Sequence, residues 1–512
     1  MFKATKVYYT QKSALSSDTM ANLQLLQILE KNIDAVMQTK APARRTNGSA
    51  SHFQPFYASL TARDFSGREL EVLNGSTHSR NELPDKGVNG RFEIRMGDYE
   101  KGGGKASEGI TLPHDLRTAG YANDLWRVMN NTFWDCANDF ERRFSRTLGI
   151  NDDEDILNEY LLFSREAHHQ YIGDVARPDV DMGELEDRLR DATGRLLTGD
   201  LFEVKALFGA YSEDRYFVNS ENSRIFTSDA QFKLILDMQK IDDKGLIIPF
   251  TYVWYSSDFS KIPDTEEIVE RGEEIQRILS DIVHAPFQPN GEFPTILCPQ
   301  NTGVGVHEFL GHALEGHRMK SGRDDEGISI FKDKKGERIM PEFITIYDDP
   351  TQTGVGGHYL FDDEGVPAQR VRLVNNGILE NYLHSRESAG SFGTWSNGHA
   401  RASGSEDPVA RMGHLSIRSD NEVNEGQLIE NLKRECVRQG KEYGLYFRRT
   451  QGGMTLPDEC FFNSYPAEVF RVYPNSDEMM RVRNVYVVGT PYQTMNNIMQ
   501  TSDVYESLDG FC

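Results

Sequence analysis

The stretch HEFLGH at residues 307–312 places two imidazoles and one carboxylate close together in the sequence. Neutral histidines are good zinc ligands, and a glutamate beside one of them suits a general base that acts on a metal-bound water. The related pattern HExxH marks many zinc proteases, but here one more residue separates the histidines. The stretch therefore predicts a metal site on a helix whose geometry departs from the regular one.

The spacing of His307 and His312 requires a distorted helix. Positions five apart on a regular α-helix diverge by about 140°, so the two rings would not face the same ion. A single i→i+5 turn, or π-turn, would bring them together, and such turns cluster at functional sites. Gly311 adds backbone freedom beside the second histidine. Glu308 lies four residues before His312 and shares its face without distortion.

The residues around the motif predict a strand, a turn and a helix, in that order. The apolar run at 296–298 is typical of a strand, and Gly303 and Gly305 indicate a glycine-rich turn after it. The motif helix is then expected to continue as far as Gly316, because glycine is the usual residue at a helix C-cap.

Composition and charge narrow the possible classes of protein. The chain has 512 residues, of which 38% are hydrophobic and 10% aromatic, enough for two domains with substantial cores. A formal net charge of −23 argues against nucleic-acid binding, which needs a basic surface. Five cysteines without a CxxC pair favour reduced thiols and a cytoplasmic protein. We see no signal peptide and no apolar stretch long enough to span a membrane.

Hydrophobic periodicity predicts the elements of the N-terminal half. Helices are expected over 20–38, 122–147, 183–197 and 263–284, and strands over 53–75 and 202–258. Polar and glycine-rich segments indicate turns at 64–67, 211–214 and 242–245 and a mobile loop within 81–108. Short strands and turns dominate the C-terminal half, where Asn375-Asn376-Gly377 is a hairpin signal.

These patterns predict an α+β protein. An N-terminal helix and linker at 1–45 would precede an α/β domain at 46–285, in which long helices pack on a sheet. A β-rich C-terminal domain at 286–512 would carry the HExxxH helix. The boundary is placed at Pro286 because proline cannot continue the helix before it.

Several segments of the C-terminal half together resemble one known family. The string HEFLGHALEGHRMKSG at 307–322 resembles the active-site helix of the TldD/PmbA metalloprotease family. Further matches follow in the same order: an acidic, glycine-rich segment at 346–370, a hairpin with YLHSR at 373–390, a glycine-rich loop at 444–454, and TSDVYESLDGFC at 501–512. The resemblance covers most of 285–512 and, more weakly, the N-terminal half.

The resemblance implies a third metal ligand. In the family, the two motif histidines and a late cysteine hold one zinc, and the matching cysteine here is Cys512. Cys460 is the reserve candidate, and Glu315 or His317 are further alternatives. Family members usually continue past this cysteine with a short strand, whereas the sequence ends at Cys512. We therefore expect this ligand to be loosely held.

Other residues have two possible roles each. His384 or Arg386 would contact substrate or make structural hydrogen bonds. The acidic stretch 362–364 would be an electrostatic wall near the metal histidines or a simple acidic turn. The glycines within 451–453 would let a peptide backbone come close or form a β-turn.

The expected function is zinc-dependent hydrolysis of peptide bonds in peptides or unfolded segments. Glu308 would be the general base on a zinc-bound water, with the ion held by His307, His312 and Cys512. The resemblance also implies a homodimer, or a heterodimer with a paralogue that lacks the HExxxH motif. Two alternatives remain: a non-catalytic or weakly active subunit of such an assembly, and a zinc amidase of small molecules. Neither a nucleic acid nor a membrane is expected as a partner.

Overall fold

A computed structural model describes most of the chain. Among the predicted site residues, His307, Glu308 and His312 lie inside the described ranges, whereas Cys460 and Cys512 lie outside them. The described ranges are 17–42, 52–83, 88–100, 102–112, 120–149, 162–198, 201–319, 328–456, 461–489, 491–508 and 510.

The N-terminal half contains long helices and long strands. Its helices are α1 (Ser17–Met37), α2 (Gly120–Gly149), α3 (Met182–Leu196) and α4 (Thr265–His284). Its strands are β1 (Ala41–Pro42), β2 (His52–Phe53), β3 (Pro55–Leu73), β4 (Ser76–Leu83), β5 (Val88–Asp98), β6 (Gly102–Leu112), β7 (Gln170–Ile172), β8 (Leu201–Asn219), β9 (Arg224–Ile241) and β10 (Ile247–Ser256). All four predicted helices are confirmed. Asp181 and Asp264 start α3 and α4, because their side chains accept backbone N–H groups of the first turn.

An eight-stranded sheet organises this half, with the strand order β10-β9-β8-β3-β5-β6 and with β4 and β7 paired to β3 and β9. Side chains alternate between the faces of a strand. Even-numbered residues of β3, β8 and β9 pack under the helices, with one hydrophobic cluster beneath α1 and α2 and a second beneath α3 and α4. Odd-numbered residues, such as Arg63, Glu213 and Arg215, line an open cleft on the other face.

The predicted turns at 64–67 and 211–214 are wrong, since both segments lie in the middle of long paired strands. Asp64 pairs with Asp214 in an antiparallel register that runs unbroken between β3 and β8. These polar residues lie between the two hydrophobic clusters, where none of the helices in the described ranges packs on the sheet. Ser66 and Ser212 are hydrogen-bonded there at 2.9 Å. Polar side chains therefore mark a gap between two helix layers. The turn at 242–245 is confirmed between β9 and β10.

The predicted mobile loop within 81–108 is also wrong, because most of that segment forms β5 and β6, paired with each other from Val88 to Leu112. The glycines have a packing role here. A Cβ on Gly104 would lie 2.7 Å from the backbone nitrogen of Phe140 in α2. Glycine therefore lets the helix approach the sheet closely.

The C-terminal half is built from short elements, as predicted. Its helices are α5 (Pro299–Val306), α6 (Arg386–Phe392), α7 (Glu425–Gln439) and α8 (Pro491–Asn496). Its strands are β11 (Thr295–Leu297), β12 (Ile344–Asp348), β13 (Val371–Asn375), β14 (Ile378–Leu379), β15 (Ala400–Arg401), β16 (Val409–Ala410), β17 (Leu415–Ser419), β18 (Glu422–Val423), β19 (Gly444–Leu456), β20 (Phe461–Val472), β21 (Met479–Val482), β22 (Val487–Gly489) and β23 (Thr501–Ser502).

Two sheets hold most of these strands, with the orders β11-β19-β20-β21 and β14-β13-β12-β17, and β22 also pairs with β20. The remaining strands form the two-stranded sheets β15-β16 and β18-β23. The hairpin at Asn376 and Gly377 is confirmed, since both have the positive φ angles that a tight hairpin turn requires, 47° and 77°. Residues 451–453 lie within β19, so the predicted loop there is wrong. The α+β class with a β-rich C-terminal half is confirmed, while the domain limits 1–45, 46–285 and 286–512 stay a prediction.

Candidate metal centre

A π-turn at His307–Gly311 follows α5 and brings the motif histidines together. The backbone N–H of His312 donates to the carbonyl of His307, five residues earlier, which is the predicted i→i+5 bond. The centroids of the two rings lie 4.7 Å apart at an interplanar angle of 81°. Two side chains that would diverge on a regular helix therefore point to the same place.

The backbone on either side of the π-turn differs from the prediction. Gly303 and Gly305 lie inside α5, so the glycine-rich turn before the motif is wrong. The helical turns are interrupted at Glu315, which is extended, and a short 3-10 helix follows at Gly316–Met319. Gly316 is not a C-cap: its N–H donates to the carbonyl of Leu383 at 2.8 Å, and a Cβ there would lie 2.6 Å from that same oxygen. Glycine is needed because two backbones cross in close contact.

The ligand atoms of His307, Glu308 and His312 all lie within 4.8 Å of one another. Oε2 of Glu308 is 4.0 Å from Nε2 of His312, and the two side chains are 10% and 5% exposed. Two imidazoles and a carboxylate at one point form a donor set that suits zinc, which binds histidine nitrogens at about 2.0–2.1 Å.

Glu315 orients the second histidine. Its fully buried carboxylate lies 3.0 Å from Nδ1 of His312 and accepts a hydrogen bond from Nε of Arg318 at 2.8 Å. Nε2 of His312 therefore faces Glu308 and the cluster. Burial alone would raise the pKa of Glu315, but the hydrogen bond and charge of His312, with Arg411 and His317, lower it to about 2. Such a carboxylate fixes the tautomer and the orientation of a metal-binding histidine.

The structure describes Glu315 and His317, two of the residues considered as the third ligand, but not the two cysteines. Oε1 of Glu315 lies on the side of the His312 ring away from Glu308. His317 has its Nε2 3.8 Å from Oε2 of Glu315. These positions support Glu315 as a partner of the ligand, and the choice between Cys512 and Cys460 stays a prediction because both lie outside the described residues.

His384 and Arg386 have structural surroundings. Burial lowers the pKa of His384 to about 4, and its ring lies 5.1 Å from that of Phe392. Arg386 is buried and donates to both oxygens of Glu221, at 2.7 and 2.9 Å, and to the carbonyl of Ser164. The arginine therefore joins the C-terminal half to the N-terminal sheet, which favours the structural role.

The acidic stretch 362–364 is a buried turn at the same junction. Asp363 pairs with Arg63 of the N-terminal sheet at 2.6 Å. Burial opposes ionisation of Asp363, but the neighbouring arginines lower its pKa to about 2. Burial and mutual repulsion raise the pKa of Asp362 to about 7 and of Glu364 to about 8. The contacts support the acidic turn, with an added role in joining the two halves.

The cluster opens into a cleft of about 3530 Å³ between the odd-numbered face of the N-terminal sheet and the C-terminal half. His307, Glu308 and His312 all contribute to its wall. Small-molecule pockets usually enclose about 300–1,000 Å³. The cleft is therefore large enough for a stretch of polypeptide.

Sequence reasoning did not identify the carboxylate and arginines around His312 as a unit. The spacing of His312, Glu315 and Arg318, three residues apart in turn, was a usable signal, because such positions are neighbours on a helical segment. Arg411 also contacts Glu315, at 3.5 Å, but it comes from a distant part of the chain. Nothing in the local sequence could have placed it there.

No helix in the described ranges is long and apolar enough to cross a membrane.

Part of the chain is similar to known metallopeptidases. A family model described as the PmbA/TldA metallopeptidase C-terminal domain matches residues 290–510. A metalloprotease from Methanothermobacter thermautotrophicus is 29% identical over 65% of this chain and 70% of that protein. A metalloprotease from Methanocaldococcus jannaschii is 27% identical over 71% and 76%. A zinc metalloprotease TldD homologue from Saccharolobus solfataricus is 30% identical over 43% and 46%.

Solved structures share the fold over most of the chain. TldE from Thermococcus kodakarensis superposes with a TM-score of 0.61 at 16% identity, covering 94% of each chain. A putative modulator of a DNA gyrase from Thermotoga maritima gives a TM-score of 0.63 at 13% identity, covering 87% of this chain and 91% of that one. Identities this low show the fold alone. Taken with the family model over residues 290–510 and the named relatives, they support membership of the TldD/PmbA family.

Proposed function

We propose that this protein is a zinc-dependent metallopeptidase that hydrolyses peptide bonds in peptides or unfolded protein segments. The observation that carries the proposal is the π-turn, which gathers His307, Glu308 and His312 at the wall of a large cleft. The names of the relatives, metalloprotease and zinc metalloprotease, support the same reaction class.

In this proposal His307 and His312 hold one zinc per chain, and Cys512 supplies the third protein ligand. Cys460 is the reserve for that position. When bound, zinc supplies Lewis acidity toward the scissile carbonyl and toward an attacking water. Glu315 keeps Nδ1 of His312 engaged, so that Nε2 is the nitrogen offered to the ion.

Glu308 is the proposed general base. Its carboxylate is largely buried and lies beside both histidines, so it can accept a proton from the attacking water close to the reacting carbonyl. The same carboxyl group then donates that proton to the leaving amine. Low exposure keeps bulk water from competing for this proton transfer.

The size of the cleft distinguishes between two of the candidate substrate classes. A small amide would fill a minor part of about 3530 Å³, whereas an extended peptide would contact both walls. We therefore favour peptides over a small-molecule amidase. For the partner we propose a second copy or a paralogue that lacks the HExxxH motif, an assembly supported by the shared fold with a structure named TldE.

The test is zinc content by mass spectrometry together with cleavage of a peptide panel. Wild type should hold about one zinc per chain and cleave peptides. His307→Ala should lose the zinc, whereas Glu308→Gln should keep it and lose cleavage. His358→Ala is the matched control, because His358 lines the same cleft while its Nδ1 lies 2.9 Å from the carbonyl of Pro350, outside the cluster. This control should keep both zinc and activity.

The outcomes separate the alternatives. A wild-type protein that takes up no zinc would contradict the metallopeptidase proposal. Zinc binding without cleavage of any peptide, alone or with a partner, would favour the non-catalytic subunit. Cleavage of simple amides in preference to peptides would favour the amidase.

A further inference from the structure

Arg411 lies in the wall of the cleft beside the metal centre. Its side chain is 35% exposed, and its NH1 is 3.5 Å from Oε1 of Glu315. The same oxygen faces Nδ1 of His312 at 3.0 Å. Among the residues that the structure describes, Glu315 is the one partner of this guanidinium. An arginine with most of its N–H groups available therefore lies close to the point where a substrate would be cut.

Arg411 shares the carboxylate of Glu315 with a second arginine. The carboxylate of Glu315 already pairs with the buried Arg318, whose Nε donates at 2.8 Å. Glu315 is thus shared by two arginines, and its contact with Arg411 is the longer of the two, at 3.5 Å. Of these two arginines, Arg411 is the one that faces the cleft, because it is partly exposed and Arg318 is buried.

The backbone holds Arg411 in a fixed place. Its N–H donates to the carbonyl of His399 at 2.8 Å. The following N–H groups, of Gly413 and His414, donate to Oδ1 of Asp348 at 2.9 and 3.1 Å. His399 and Asp348 are themselves fully buried and lie 3.0 Å apart through Nε2 and Oδ1. A network beneath the surface thus anchors the segment.

The same segment packs directly on the metal motif. Between Arg411 and Gly413, Met412 lies against Gly311, where a Cβ would collide with the methionine sulfur. Contacts with Gly311 and Glu315 therefore fix the distance between Arg411 and the motif histidines. Such rigid support is what a residue needs if it is to position a substrate rather than merely attract it.

We propose that Arg411 binds a carboxylate of the peptide substrate and thereby positions the peptide for cleavage. The planar guanidinium matches a carboxylate with two parallel hydrogen bonds, a geometry that lysine does not offer. The group bound is the C-terminal carboxylate or the side chain of an aspartate or glutamate. This inference rests on the proposed function and names the substrate feature that the site selects.

The net negative charge of the whole molecule makes a local cation necessary for the binding of an anionic peptide. With a formal net charge of −23, the chain repels anionic peptides at long range. A cation within the cleft can offset this repulsion for a carboxylate that arrives in the right place, since charges within a few ångströms interact strongly when they are shielded from water. Arg411 therefore selects a peptide by the position of its carboxylate in the cleft, and not by the overall charge of the peptide.

The experiment measures equilibrium binding of fluorescent peptides to the full, zinc-supplied chain carrying Glu308→Gln, which prevents turnover. Two matched pairs of peptides are compared: free acid against C-terminal amide, and an internal glutamate against glutamine. Arg411→Gln and Arg411→Lys are added to the same background. Arg418→Gln is the matched control, because Arg418 also lines the cleft but lies over the ring of Tyr505.

The carboxylate member of at least one pair should bind about tenfold or more tightly than its neutral counterpart. Arg411→Gln should abolish that ratio, Arg411→Lys should keep part of it, and Arg418→Gln should keep it whole. The pair that shows the effect identifies the source of the carboxylate. Melting temperatures confirm that each variant is folded, and Arg411→Lys preserves the charge if Arg411→Gln is unstable.

Equal binding of both members of both pairs would overturn the inference, and so would a preference that survives in Arg411→Gln. Cleavage of the same peptides by the chain with Glu308 intact is measured separately. A binding preference that depends on Arg411 without any cleavage would contradict the proposed function and leave the inference standing. Cleavage of these peptides without a preference for the carboxylate member would contradict the inference and leave the proposed function standing.

Discussion

Replacing Glu315 by glutamine should weaken zinc binding although both motif histidines remain. The buried carboxylate has one oxygen 3.0 Å from Nδ1 of His312 and accepts from Nε of Arg318 with the other, at 2.8 Å. A glutamine side chain offers one carbonyl oxygen and one NH₂ group, so it can accept from His312 or from Arg318 but not from both. Because Arg318 is a permanent cation, we expect it to keep the oxygen and to leave His312 without an acceptor.

The magnitude follows from that lost contact. Removal of the carboxylate partner of a metal-bound histidine typically costs 10- to 100-fold in metal affinity. The contact here is buried and charged on one side, so the loss should lie in the upper part of that range, about 30- to 100-fold. This corresponds to about 2–3 kcal/mol in the free energy of zinc binding.

The assay is competition for zinc between the protein and a chromophoric chelator at constant pH, with Kd as the readout. Glu221→Gln is the control, because Glu221 also pairs with a buried arginine, Arg386, but does so at the junction of the two halves and outside the metal cluster. This control should lower the melting temperature and leave Kd unchanged. An unchanged Kd in a folded Glu315→Gln protein would refute the reasoning. Equal weakening in both variants would show a general loss of stability instead.

Two further predictions concern stability. Gly316→Ala should lower the free energy of unfolding by about 1–3 kcal/mol, because its Cβ would meet the Leu383 carbonyl. Gly303→Ala has nothing within 4 Å of its Cβ and should stabilise α5 by up to about 1 kcal/mol. Urea denaturation measures both, and equal effects would contradict the role of Gly316 where the two backbones cross. Burial and the charge of Asp362 raise the pKa of Glu364 to about 8. Between about pH 4.3 and 8 the folded chain therefore holds a proton there that the unfolded chain has released. The free energy of unfolding should fall across this window as the pH rises to 8. Glu364→Gln should remove this loss and melt above wild type at pH 9 but not at pH 5; a parallel pH dependence of the two melting temperatures would count against it.

Local sequence patterns were sufficient for the elements whose stability comes from their own residues. Apolar periodicity predicted α3 and α4, and the Asn-Gly pair predicted the hairpin at 376–377. The π-turn was predictable for a related reason. Two histidines five residues apart can face one point in a helical segment only if a turn is widened.

Strand length was not predictable from local patterns. Polar residues in β3 and β8 read as turns because a local window contains no information about what covers the sheet. In the folded chain they cross the space between two helix layers, and pairing with neighbouring strands stabilises them. The glycines of β6 were misread for the same reason, since the helix that packs on them comes from a later part of the chain.

The sequence by itself determined the chemistry of this protein: the two histidines, the glutamate between them and the turn that unites them all lie within residues 307–312. Tertiary structure alone decided what surrounds that chemistry. Arg411 meets Glu315 because β16 delivers it to the motif, and the cleft exists because the described helices α1 to α4 pack on the other face of the N-terminal sheet. Local geometry depends on bonds between near neighbours, whereas charge complementarity and burial depend on residues that meet only after folding.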